Sequence, residues 1–476
     1  MILANARGSS RSPLTDIRIN DGHIVDVTPA GTHRPAELEL VDLDGRIVVP
    51  GLWDEHVHMN QWAIARTRVD VGAATSAAEA ATMIRDAAAA RPGSALLTGQ
   101  GFRDALWTDA PTAAVLDAVV ADRPVAIVSG DLHAAWLNTS ALERFGFAGH
   151  PTGLLREDEC FAVVPRLGEA DDATIDAWVA EAGAAAAARG VVGIVDMEMP
   201  FSLADWQRRM GAGFDALRVW ASVYPQVIGE AIDAGLTTGQ RVTDLLSMGY
   251  AKIITDGSLN TRTAYCADPY PGTSDRGMLT VSPDALEEHL ALASAAGLVP
   301  AVHAIGDEAN RHAIDALARL GRGGRIEHAQ LLHDDDLARF AAAGIVASIQ
   351  PEHAMDDRDV ADRHWVGRTR RSFVLRSLLD AGARIVLGSD APVAPLDPWV
   401  AMDAAVTRSR DGRQPWHPEQ SVTVGEALAA STRSSITVGE PADLVVLDAD
   451  LATAALRTMP GAASLLGGRP TWWALG

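Results

Sequence analysis

The 476-residue sequence predicts an α/β protein: a (β/α)8 TIM barrel with a small β-sandwich built from both termini and an insertion after the first barrel strand. Two observations support this fold class. Apolar, β-branched runs alternate with helical stretches through most of the chain, which is the pattern of parallel βα units. Short runs bounded by turn residues occupy both ends.

The two ends of the chain resemble each other in pattern. Asp21-Gly22 separates two alternating apolar runs near the N-terminus, which predicts a β-hairpin. Ala442–Asp448 is a matching strand-like run near the C-terminus. We therefore expect residues 1–50 and 435–476 to form one composite β-sandwich.

The predicted barrel occupies residues 51–434. Its first strand ends the buried apolar run Ile47–His58. The other seven predicted strands are Val191–Met197, Leu217–Val223, Tyr250–Asp256, Leu298–Ala304, Gly324–Ala329, Gly344–Gln350 and Ala383–Ser389. The long interval between the first and second strands predicts an inserted lid or subdomain at 70–185, over the barrel mouth.

Composition excludes several classes of partner. The chain has 40 Lys and Arg residues and 62 Asp and Glu residues, so its formal net charge is 40 − 62 = −22. It has no basic block, and this disfavours nucleic acid and anionic membranes as partners. Two cysteines are too few for a disulfide framework, and no apolar run resembles a signal peptide or a membrane span. We expect a cytoplasmic protein that binds a small-molecule substrate, with a homodimer as an allowed assembly.

Six residues with metal-binding chemistry follow or end predicted barrel strands. His56 and His58 are spaced i, i+2, so they share one face of the first strand and could bind one metal ion. The others are Lys252, His303, His328 and Asp390. Each alone has a structural alternative, such as a core histidine or a helix cap. Together, at the strand ends where barrel sites are found, they predict a metal site.

Lys252 is the only lysine among 40 basic residues. Guanidinium differs from a primary amine in pKa and nucleophilicity, so this position could require an amine. Chance retention and an ion pair with Asp256 are the alternatives.

These motifs resemble the amidohydrolase superfamily, and within it the amidohydrolase family 3, or YtcJ-like, branch. The resemblance covers nearly the whole chain. Its motifs are Pro50-Gly51 with Asp54 and His56-Val57-His58, the segment Gly130–Trp136, Lys252 with Asp256-Gly257-Ser258, His303–Asp307, Glu327-His328, and Ser389–Val393.

The resemblance implies one or two divalent metals, with zinc expected and iron, manganese or nickel left open. The ligands would be His56, His58, Lys252, His303, His328 and Asp390, with the Lys252 amine N-carboxylated to bridge two ions. A metal lowers the pKa of bound water to about 7 and so supplies hydroxide. Asp390 would transfer the proton, and His133 would stabilise the oxyanion or serve only as a structural residue.

The expected reaction is hydrolysis of a C–N bond in an amide, N-formyl or N-acyl small molecule. Ester or lactone hydrolysis, deamination and decarboxylation are alternatives on the same site, and a non-catalytic regulatory or binding protein is another. Substrate contacts are expected from Trp53, Asp256, Arg262, Gln350 and His353.

Overall fold

The computed structural model describes residues 1–32, 38–168, 170–199 and 201–475. The chain forms two compact units, one comprising Met1–Met59 with Val179–Gly476 and the other comprising Asn60–Trp178. The predicted domain limits of 1–50, 51–434, 70–185 and 435–476 stay predictions.

The described residues form 21 strands: β1 Ile2–Ala6, β2 Thr15–Asn20, β3 His23–Pro29, β4 Leu40–Asp42, β5 Ile47–Pro50, β6 Leu52–Val57, β7 Val69–Asp70, β8 Leu97–Phe102, β9 Val125–Ser129, β10 Ala134–Leu137, β11 Leu154–Arg156, β12 Val191–Asp196, β13 Arg218–Val223, β14 Leu246–Ile254, β15 Pro300–Ala304, β16 Gly324–His328, β17 Ile345–Ile349, β18 Arg384–Leu387, β19 Leu444–Leu447, β20 Gly461–Leu466 and β21 Arg469–Trp473.

The same residues form 15 α-helices: α1 Met59–Ala65, α2 Ala77–Ala90, α3 Ala113–Asp117, α4 Thr139–Phe145, α5 Asp158–Leu167, α6 Asp172–Ala187, α7 Leu203–Gly211, α8 Ile228–Asp233, α9 Pro283–Ala295, α10 Asp307–Leu320, α11 Leu337–Ala342, α12 Pro351–His364, α13 Leu375–Asp380, α14 Pro398–Thr407 and α15 Val424–Ala430. None of these helices is long and apolar enough to cross a membrane.

The larger unit contains an eight-stranded sheet with the order β6-β12-β13-β14-β15-β16-β17-β18. Every neighbouring pair is parallel, as expected for successive βα units. A parallel bridge joins Val57 at the end of β6 to Ala391 in the segment that follows β18. The predicted barrel is therefore confirmed.

The first barrel strand is shorter than the sequence predicts. The run Ile47–His58 is divided at Gly51: β5 pairs with β19 of the sandwich, while β6 pairs with β12 of the barrel. A side chain at position 51 would place its Cβ 2.4 Å from Val192, so the absence of a side chain lets the chain pass between the two sheets.

Two four-stranded sheets, β3-β2-β1-β4 and β21-β20-β19-β5, are built from the two ends of the chain. They share one apolar core, in which Leu3 and Ile17 pack with Leu444 and Leu465. Asp21 and Gly22 both have positive φ and join β2 to β3 in a tight hairpin, as the Asp-Gly signal predicts.

The smaller unit has its own sheet, with the order β11-β10-β9-β8-β7. Its core includes Ile84, Phe102, Ile127 and Trp136. The predicted strand at Val125–Ser129 is present as β9.

Candidate metal centre

The six predicted ligands all belong to the larger unit and stand at the C-terminal ends of parallel strands. His56, His303 and His328 lie at the ends of β6, β15 and β16, and Lys252 lies near the end of β14. His58 and Asp390 follow β6 and β18. Side chains at these ends converge on one rim of a barrel, and this is why residues 334 positions apart in sequence can meet (56 and 390).

Asp390 contacts both histidines of the His-x-His pair. Its Oδ1 lies 3.2 Å from His58 Nε2 and 3.5 Å from His56 Nε2. Backbone bonds fix this arrangement, because Asp390 N–H donates to the His56 carbonyl at 2.7 Å. Gly388 permits the approach, since a Cβ there would lie 2.7 Å from His56 N.

A second group of imidazoles faces the same carboxylate. Ligating atoms of His328, His353 and Asp390 lie within 4.8 Å of one another, as do those of His56, His58 and Asp390. The ring centroids of His303 and His328 are 4.4 Å apart, although His303 completes neither set within the described chain. His353, predicted as a substrate contact, thus stands among the imidazoles.

Lys252 is buried beside the first histidine. Its side chain is fully enclosed, and Nζ lies 3.1 Å from His56 Nε2. Burial lowers the pKa of this amine to about 8, which makes the neutral form accessible near neutral pH. Among the described residues Lys252 forms no ion pair with Asp256, the alternative partner considered from the sequence.

The protonation states suit metal binding. Burial, followed by the charge of Lys252, lowers the pKa of His56 to about 4 and that of His303 to about 3. These imidazoles are therefore neutral at pH 7 and each presents a lone pair. Burial opposes ionisation of Asp390, but His56 and its neighbouring histidines outweigh it and hold the Asp390 pKa well below its usual range.

Two of the six residues have unusual backbone conformations. His328 and Asp390 have φ of 73° and 56°, in the left-handed region that residues with a Cβ rarely occupy. Such strain persists where the surrounding structure imposes it and is concentrated at functional sites.

The donor set fits a divalent metal. His58 Nδ1 and His328 Nδ1 are buried and have no hydrogen-bond partner within the described part of the chain. Buried polar atoms are normally satisfied, so a dense set of imidazoles around one carboxylate is energetically unfavourable unless a cation shares it.

Of the other predicted substrate residues, Asp256 lies beside a predicted ligand, with its Oδ1 3.5 Å from His303 Nε2. Trp53 is buried, and its ring centroid lies 4.0 Å from the Arg433 guanidinium carbon. Asp256 accepts backbone N–H bonds from Tyr265, Ile305 and Gly306, and so organises the turn after β15. Burial raises the pKa of Asp256 to about 7 despite those bonds.

Gln350 and Arg262 complete the set. Gln350 is buried after β17, and its Oε1 has no partner among the described residues. Arg262 is exposed, and its predicted contact with substrate stays a prediction.

His133 belongs to the smaller unit. Its Nδ1 lies 3.0 Å from Glu157 Oε2, and its ring packs edge-on against Phe161 with a centroid distance of 5.2 Å. These contacts hold the ring within its own unit, and its predicted part in catalysis stays a prediction.

Sequence reasoning missed the group that holds His56. Glu327 Oε2 lies 2.8 Å from His56 Nδ1, and Arg325 Nε lies 2.8 Å from Glu327 Oε1. The signal was present in the predicted strand Gly324–Ala329, which carries two charged residues spaced i, i+2 in an otherwise apolar run. Charges in a buried strand require partners, but the sequence does not name them.

Comparisons with known proteins identify the family of this chain. A model of the amidohydrolase family matches residues 39–463. Protein LONG AFTER FAR-RED 3 of Arabidopsis thaliana is 30% identical over 86% of this chain and 79% of its own length. N-substituted formamide deformylase of Arthrobacter pascens is 26% identical over 89% of this chain and 88% of its own length.

A solved structure is similar over nearly its full length. The crystal structure of an uncharacterized metal-dependent hydrolase from Pyrococcus horikoshii superposes with a TM-score of 0.81 at 25% identity, covering 96% of this chain and 99% of that one. The resemblance inferred from the motifs is confirmed, and the chain belongs to the amidohydrolase family.

Proposed function

We propose that this hydrolase cleaves a C–N bond of an amide, N-formyl or N-acyl small molecule, using one or two divalent metal ions, with zinc expected. The observation that carries the proposal is the contact of Asp390 Oδ1 with both His58 and His56, beside further neutral imidazoles. A carboxylate that touches several imidazoles at a barrel rim is suited to proton transfer beside a bound cation.

The ligands in this proposal are His56, His58, Lys252, His303, His328 and Asp390. A divalent metal, when bound, supplies Lewis-acid polarisation of a carbonyl and lowers the pKa of water. His353 lies close enough to Asp390 and His328 to contact either the metal or the substrate. Carboxylation of the buried Lys252 amine would convert a cation into an anion beside His56, and this would favour a second metal.

Asp390 has the properties of the proton carrier. Its carboxylate is ionised at neutral pH, because the neighbouring imidazoles outweigh the effect of burial on its pKa. It accepts a proton from the attacking water and donates that proton to the leaving nitrogen, which is the more basic group. Backbone hydrogen bonding to His56 keeps its oxygens in place during both transfers.

The choice of a C–N bond is supported by the relative that bears the name N-substituted formamide deformylase, with 26% identity over 89% of this chain. The proposed role of His133 is to donate a hydrogen bond to the developing oxyanion. Glu157 Oε2 lies 3.0 Å from His133 Nδ1, so donation to an oxyanion from Nε2 requires the doubly protonated ring.

The test is a matched substrate screen on metal-free and zinc-reconstituted enzyme. N-formyl and N-acyl amines are each paired with the ester of the same acyl group, and Asp390→Asn serves as the control for background hydrolysis. We expect zinc-dependent turnover of at least one amide class, with the amide preferred over its ester. Turnover of esters alone, or equal rates for Asp390→Asn, would refute the proposal.

A further inference from the structure

A buried chain of alternating charges ends on His56 and has no part in the reaction proposed above. It consists of Arg433, Glu55, Arg325 and Glu327, which come from three separate parts of the sequence, and it is called here the charge chain. Glu327 is fully buried, and its Oε2 lies 2.8 Å from His56 Nδ1.

The contact with Glu327 determines which nitrogen of His56 carries the proton. Glu327 Oε1 accepts from Arg325 Nε at 2.8 Å, and this ion pair keeps Glu327 in the carboxylate form. An ionised carboxylate can only accept, and Nδ1 must therefore be the protonated nitrogen. The lone pair is then on Nε2, the atom that lies 3.1 Å from Lys252 Nζ and 3.5 Å from Asp390 Oδ1.

Arg325 is held on every side. Its Nε donates to Glu327 Oε1 and its Nη1 to Glu55 Oε2, both at 2.8 Å. Its Nη2 donates to Ser348 Oγ at 2.8 Å, and its guanidinium lies 4.4 Å from the Tyr250 ring centroid. These contacts fix the Arg325 guanidinium, so it cannot rotate and change the direction of its hydrogen bond to Glu327.

Glu55 and Arg433 complete the charge chain. Arg433 donates from Nε and Nη2 to the two oxygens of Glu55 at 2.6 and 2.7 Å. Its guanidinium lies between the rings of Trp53 and Trp220, at 4.0 and 4.2 Å. Burial opposes ionisation of Glu55, but Arg433 and Arg325 lower its pKa to about 2.

Stability alone does not account for the charge chain. Two glutamates and two arginines cancel in charge, and apolar residues of similar volume often stabilise a protein as well as buried ion pairs do. Apolar residues cannot supply a hydrogen-bond acceptor for one particular nitrogen of the His56 imidazole. Partners of this type fix the tautomer of metal-binding histidines.

We propose that Glu327 is a positioning residue that holds His56 as the Nδ1-protonated tautomer, and that Arg325, Glu55 and Arg433 keep Glu327 oriented for this purpose. The proposal rests on the proposed function only in treating His56 as a metal ligand.

Glu327→Gln tests the proposal because the direction of the change can be derived from the structure. Arg325 donates to position 327, so the new amide would turn its oxygen toward Arg325 and its NH2 toward His56. The NH2 would donate to Nδ1 and move the imidazole proton to Nε2. We expect Zn²⁺ affinity, measured by chelator competition, to fall by roughly 10- to 100-fold.

The tautomer is measured directly in metal-free protein by ¹⁵N NMR of labelled histidines, with the His56 signals assigned by their loss in His56→Gln. Wild-type protein should carry the proton on Nδ1, and this measurement does not depend on whether Glu327→Gln folds. The proton should be on Nε2 in Glu327→Gln. A wild-type His56 protonated on Nε2 would overturn the proposal, as would wild-type Zn²⁺ affinity in Glu327→Gln.

Asp443→Asn is the matched control. Asp443 is also a buried carboxylate paired with an arginine, and it accepts from Arg218 at 2.7 and 3.1 Å, but it contacts no histidine in the described chain. This variant should lower Tm without changing Zn²⁺ affinity or the His56 tautomer. An equal loss of Zn²⁺ affinity in Asp443→Asn would assign the effect to general destabilisation. Failure of every amide substrate, with these results intact, would refute the proposed function and leave this inference standing.

Discussion

Replacement of Lys252 separates a carboxylated metal bridge from an ordinary buried cation. Lys252 Nζ lies 3.1 Å from His56 Nε2, and burial lowers its pKa to about 8. At pH 7 roughly a tenth of such amines are neutral, against about one in 3,000 for an unperturbed lysine. The neutral amine is the form that adds CO2, so we predict carbamate formation at this position.

Lys252→Arg should lose more bound metal and more turnover than a substitution that conserves charge would usually cause. Guanidinium forms no carbamate and remains charged. Two like unit charges about 4 Å apart repel each other by about 4 kcal/mol at an effective dielectric near 20. That repulsion corresponds to roughly a thousandfold weaker binding of a cation beside His56. Lys252→Glu should retain more metal than Lys252→Arg, because a carboxylate can partly replace the bridge.

The assay combines metal content, turnover and isotope labelling. Since Lys252 is the only lysine, ¹³CO2 can label only one side-chain amine, and the side-chain carbamate signal in ¹³C NMR should be absent from all Lys252 variants. Lys252→Ala should recover activity when short carboxylic acids are added. If Lys252→Arg is the mildest variant and no carbamate signal is found, the bridge is refuted.

Three further expectations concern separate parts of the chain. Asp390→Asn should lower kcat per bound metal by roughly 10²–10⁴, whereas unchanged turnover at equal metal content would remove Asp390 from proton transfer. His133→Ala should lower kcat by roughly 10²–10³; a change in Tm alone would make its pairing with Glu157 purely structural. The pKa of Glu426 is lowered to about 2 by Arg376 and then by Thr423, so the stability it contributes is present above pH 4.5 and is lost as pH falls through 2. Glu426→Gln, which removes the charge paired with Arg376 but keeps a residue that can complete the capping box, should therefore lower Tm at pH 7 but not near pH 2.

The sequence by itself determined the fold class and the residues that meet at the barrel rim. The fold class and the rim residues both follow from local features of the sequence, namely apolar runs of strand length and polar residues at the ends of those runs. The C-terminal ends of eight parallel barrel strands lie together, so the sequence alone predicts that His56, His303, His328 and Asp390 stand at one rim.

Only the tertiary structure decided the partners of those residues. Glu327 meets His56 across 271 positions, and Arg433 meets Glu55 across 378. No local pattern encodes such pairs, because they depend on barrel closure and on which face each side chain takes. For the same reason the sequence does not show that Trp53 packs on Arg433 or that His353 joins the imidazoles around Asp390. The chemistry of each side chain is a property of the sequence. The electrostatic field and the hydrogen-bond acceptors around that side chain exist only once distant strands are brought together.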